Sequence, residues 1–142
     1  MEVSVVRQRV LESIERARRM AVDRRAQTDE GSREYQIFLD RIAVPLFKQL
    51  ASVLRAENYP FNVFTPAGSV RLMSERGSDD YIEVTLDGKG SKALVIGRSS
   101  RSRAGNVTQS ERVLNATNTI SELTEDDLLA FLLRELEPYV EK

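Results

Sequence analysis

Tyr81-Ile82-Glu83-Val84-Thr85-Leu86, then Asp87-Gly88-Lys89-Gly90, then Lys92-Ala93-Leu94-Val95-Ile96: this stretch decides the fold. Its first part alternates apolar and polar residues, the period of a strand with one covered face. Asp-Gly is a hairpin signal, because glycine reaches the positive φ values that tight turns demand. The apolar run after it predicts a partner strand in the middle of a sheet, covered on both faces. A connection this short leaves no room for a crossover helix, so the pair is antiparallel.

The same period extends outward. Residues 61–65 and 69–74 read as two earlier strands, separated by the Pro66-Ala67-Gly68 turn and followed by a polar turn over 75–80. A weaker fifth strand is expected over 107–114. Short connections throughout make the sheet an antiparallel meander of four to five strands. Gly97 is expected to end the fourth strand or to mark a bulge in it, and Gly97-Arg98-Ser99-Ser100-Arg101-Ser102-Arg103-Ala104-Gly105-Asn106 reads as a hairpin loop.

Beyond 58–115 the period becomes helical. Val3, Val6, Val10, Ile14, Ala17 and Ala21 line one face of a helix over residues 2–26, with arginines and interleaved acids opposite. Gln27-Thr28-Asp29-Glu30-Gly31-Ser32 reads as a break, and a second helix is expected over 33–56. On it Tyr35, Phe38, Ile42, Leu46, Leu50 and Val53 form the stripe, while Ile37, Val44, Phe47 and Leu54 widen the apolar arc. Pro45 lacks an amide proton and clashes with the carbonyl of Arg41, so a kink is expected there. At the other end Leu123-Thr124-Glu125-Asp126-Asp127-Leu128 places Thr124 as N-cap, Asp127 as its capping-box partner and three acids on the helix dipole. That helix is expected over 121–138, stopped by Pro138. The fold class is therefore α+β: a pair of long N-terminal helices, the sheet, and a C-terminal helix packed with them on the sheet. One domain over 1–142 is expected, with a helical segment 1–57, the sheet 58–115 and the final helix.

Composition narrows the chemistry. The chain has 142 residues with no Cys, His or Trp. No disulfide, thiolate, histidine relay or ordinary zinc site can be built. No metal and no cofactor are expected. The carboxylates Glu75, Asp79, Asp80, Glu83 and Asp87 flank one hairpin and are the remaining candidates for acid–base work, but Asp is common in turns for backbone reasons. No nucleophile, base and orienting group come together, so the sequence leans against an enzyme.

Formal net charge is −1, which predicts no general attraction to nucleic acid or to an anionic membrane. Nucleic acid is not a favoured partner, and no membrane span is expected. The first residues lack a basic stretch followed by an apolar one, so no signal peptide is expected and the cytoplasm is the default setting. Charge is uneven, however: residues 89–112 carry net +5 and residues 113–142 net −5.

Two functions remain. The first is a non-enzymatic interaction protein, a homodimer held through its N-terminal helices, with Ile37, Val44, Phe47 and Leu54 as the self-association surface. Its motive is apolar helix surface in excess of what one small sheet covers. The second is an anion-binding module in the 97–106 segment, for a nucleic-acid backbone, a phosphate ligand or an acidic peptide. There Arg98, Arg101 and Arg103 would supply bidentate donors, joined by Ser99 and Ser102 and extended by Arg71 or Arg112.

Overall fold

The computed structural model describes residues 1–88, 90 and 92–140. It is an α+β protein. The deciding hairpin forms as expected: β3 (Tyr81–Asp87) pairs antiparallel with β4 (Leu94–Arg103), from Asp87 opposite Leu94 to Tyr81 opposite Ser100. Lys89 of the turn lies outside the described residues. With β1 (Phe61–Phe64), β2 (Val70–Ser74) and β5 (Asn106–Val113) the sheet is an antiparallel meander in chain order.

Gly97 does not end β4. The strand continues through it to Arg103, and the whole expected loop is a long hairpin arm. The turn is two residues, Ala104 and Gly105, at φ 51° and 82°. Both angles are positive, which matches a turn of the hairpin kind that follows strand twist. Gly97 is needed for another reason: a Cβ there would overlap the Phe131 ring packed above it.

The two N-terminal helices are one. Helix α1 (Val3–Phe38) runs straight through Gln27–Ser32, joins a π turn (Leu39–Ala43), and continues as α2 (Val44–Ala56). Gly31 is not a breaker but a contact. A Cβ on it would lie 2.5 Å from Ala93 Cβ, so the missing side chain lets α1 press on the start of β4. At Pro45 the sequence predicts a kink; the helix has a π turn just before the proline. The wider turn takes up an extra residue where the ring cannot donate to the carbonyl four residues back. This shifts the helical phase. The buried face runs Tyr35, Phe38, Leu39, Ala43, Leu46, Phe47, Leu54, whereas Val53 of the expected stripe is 61 % exposed.

A 3-10 turn (Ile120–Glu122) precedes α3 (Glu125–Val140). The capping box forms as read: Asp127 N–H donates to Thr124 Oγ1 at 3.1 Å, and Thr124 N–H to Asp127 Oδ2 at 3.0 Å. Pro138 does not stop the helix, which continues to Val140. Its missing N–H costs one bond, so a single turn survives it near the end.

Alternation assigns the sheet faces. Phe61, Val70, Leu72, Ile82, Val84, Val95 and Gly97 share one face and are buried with Leu46, Phe47, Leu128, Phe131 and Leu132 of α2 and α3. Asn115, fully buried, seals the sheet where β4 begins. Its Oδ1 accepts from Val95 N–H at 2.8 Å and its Nδ2 donates to the Ala93 carbonyl at 3.1 Å. The tyrosines tie the layers: Tyr35 donates to the Gly68 carbonyl at 2.6 Å, and Tyr139 reaches the carbonyls of Tyr81 (3.0 Å) and Ser100.

Candidate functional site

The residues read as an anion loop are divided by the strand they occupy. Arg98 and Ser102 lie on the face away from α3; Ser99, Arg101 and Arg103 lie on the α3 side. Arg98 is paired with Glu111 at 3.4 Å. Ser99 donates to Glu135 at 2.9 Å and shares a 2.6 Å hydrogen bond with Ser110. The amide of Ser102 donates to Asp80 at 2.8 Å. Of the two extra candidates, Arg71 is bonded to Glu83 at 3.1 Å and Arg112 stands opposite Gly97 on β5.

Arg98 belongs to a row of alternating sign on the outer face. Phe64, Arg71, Glu83, Arg98 and Glu111 are successive partners across the five strands. Arg71 also stacks over the Tyr81 ring at 4.1 Å. Glu83, 7 % exposed, is the buried carboxylate of the acidic hairpin and is held by Arg71. Glu75 is bonded to Arg55 at 2.7 Å, and this bond, with a second from Asn62, holds its carboxyl below the usual carboxylate range. These carboxylates make ion pairs, the arrangement of a structural network.

Arg101 and Arg103 instead reach the end of the sheet, where they meet Arg76 from the β2–β3 turn. A cleft of about 230 Å³ opens there, with Tyr59, Tyr139 and Asp80 among its walls. Arg103 donates to the Pro138 carbonyl, and Arg76 to the Asn58 carbonyl at 3.5 Å. Burial pushes the Tyr139 phenol well above its ordinary value, Asp80 adds to this, and Arg101 opposes it. Sequence reading placed two of these arginines but missed Arg76, which only the meander brings alongside.

The self-association residues also separate. Phe47 is fully buried and Leu54 is 6 % exposed, both within the core; Val44 is half-buried against it. Ile37 is 55 % exposed. The uncovered apolar surface lies further back on α1. Every residue from Met1 to Met20 is exposed, including the stripe residues Val3, Val6, Val10 and Ile14. The spacing of Val3, Val6 and Val10 recurs eleven residues on as Ile14, Ala17 and Ala21. A repeat of about 3.67 residues per turn keeps such a stripe on one side of the helix.

Comparison with protein-family models, with curated proteins and with solved structures finds no match to this chain. No helix among the described residues is long and apolar enough to cross a membrane.

Proposed function

We propose that this chain is a non-enzymatic interaction protein that pairs with a second copy of itself, antiparallel, through residues 3–21 of α1. The observation behind this is the uncovered stripe. Most large apolar residues exposed in the chain lie on this one arm, from Met1 to Val22. A helix without tertiary contacts is marginal in water, and a second apolar helix is what stabilises it.

A second copy fits the stripe by volume. Its outer end carries valines and its inner end Ala17 and Ala21. Antiparallel pairing sets Val3 against Ala21 and Val6 against Ala17, large against small, with Val10 against Ile14 at the middle of the seam. A parallel pair would leave the alanines facing each other across a gap. Antiparallel pairing also keeps the two sheets at opposite ends of the seam. A cytoplasmic setting completes the reading, in keeping with a chain that offers no cysteine to an oxidising compartment.

Light scattering on the eluting protein is expected to give twice the chain mass of 16.1 kDa. Val6→Glu with Val10→Glu and Ile14→Glu should give the monomer with the sheet intact by circular dichroism. Leu133→Glu, an exposed apolar position on α3, should leave the pair unchanged. A monomer at micromolar concentration from the unaltered chain overturns the proposal.

A further inference from the structure

Three arginines converge at one end of the sheet from places far apart in the chain. Arg76 comes from the β2–β3 turn, Arg101 and Arg103 from the far end of β4. Among the described residues none of the three forms a salt bridge, whereas Arg55, Arg71 and Arg98 each do. Arg101 is half-buried, and its side chain makes no hydrogen bond among the described residues, so its whole donor fork is unused. Arg103 is partly committed to the end of α3 through the Pro138 carbonyl. The free donors are therefore chiefly those of Arg101 and Arg76.

We infer that this cleft binds a phosphate monoester, with Arg101 and Arg76 as the principal donors and Arg103 completing the charge. Three guanidinium charges face the single carboxylate of Asp80, which leaves two positive charges in the cleft. A phosphate monoester carries about −1.5 to −2 near neutral pH and matches that excess; a single carboxylate does not. Guanidinium forks bond phosphate oxygens in pairs. The wall beside them is aromatic: Tyr59, and Tyr139 with Phe61 edge-on to it at 6.0 Å and 85°. Both phenols are already hydrogen-bonded to backbone carbonyls, so what they offer the ligand is mainly ring surface. A phosphate bearing a flat or apolar group uses both parts of the cleft. This inference does not depend on pairing through α1.

Calorimetric titration of the full chain at low salt, with phenyl phosphate and with inorganic phosphate, tests it. Saturable binding of one phenyl phosphate per chain is expected, tighter than inorganic phosphate because of the ring surface. Arg101→Ala should weaken it by about tenfold or more, the scale of losing charge-assisted bonds. The Arg101 side chain has no bond to lose, so this variant should melt at the unaltered temperature. Arg101→Lys should recover only part of the affinity, and Arg112→Ala should change nothing. A peptide carrying one phosphoserine, titrated in parallel, separates the sources: tighter binding than phenyl phosphate assigns a phosphorylated protein, weaker binding a small monoester. Absence of saturable binding at millimolar phenyl phosphate, or equal binding by Arg101→Ala, overturns the inference.

Discussion

Ala104 sits at φ 51° in the β4–β5 turn, where an L side chain crowds the following carbonyl. That conformation costs roughly 1–2 kcal/mol for an ordinary residue and less for asparagine. Ala104→Asn is therefore expected to stabilise the fold by about 1 kcal/mol, measured by urea denaturation. The same residue explains why the hairpin was not legible. Asn-Gly would have announced a tight turn, but Ala104-Gly105 announces nothing, and three arginines among serines look like a solvated loop. Gly97 misled in the same direction. Its role is to leave room for the Phe131 ring, a contact across 34 positions of chain that no local pattern encodes. Thr124 and Asp127 were legible because a capping box is complete within four residues.

At the scale of elements, period carried the reading and phase limited it. The alternation of β3 and the helical spacing of α1 were sufficient to place a meander behind a long helical segment. The π turn at Leu39–Ala43 was not legible, because it changes phase without changing composition. Leu46 still falls in the core and Leu50 packs against it, but by the end of the helix the phase has drifted, so Leu54 is buried where Val53 was expected. Gly31 suggested a break for a sound local reason, yet packing on Ala93 outweighs a helix cost of about 1 kcal/mol. Helix α1 thus has two parts of unequal support. In a chain kept monomeric by Val6→Glu, Val10→Glu and Ile14→Glu, amide exchange over residues 3–27 should be fast while Phe38 to Ala56 stays protected. Equal protection would mean that the arm holds itself without a partner.

In the molecule as a whole, two phenols join the helical layer to the sheet. Tyr35 fastens α1 to the β1–β2 turn, and Tyr139 fastens α3 to β3 and β4. Burial raises both above the ordinary phenol value of 10.0, with a further upward push on Tyr35 from Glu83. The folded state therefore keeps protons that the unfolded chain releases above pH about 10. Stability is fully present below that pH and declines as pH rises beyond it toward the folded values. Phenolate absorbance from Tyr35 and Tyr139 is expected only together with loss of the fold, which an alkaline titration followed by circular dichroism checks. The outer face of the sheet has a different consequence. Arg71, Glu83, Arg98 and Glu111 alternate in sign across four strands. If any strand slides by two residues it keeps its apolar side inward, so hydrophobic burial alone does not detect the error. The charges do: a slip between β2 and β3 leaves Glu83, already shielded from water, without its guanidinium. The row works as a vernier scale, rejecting near-miss alignments that the core itself would accept.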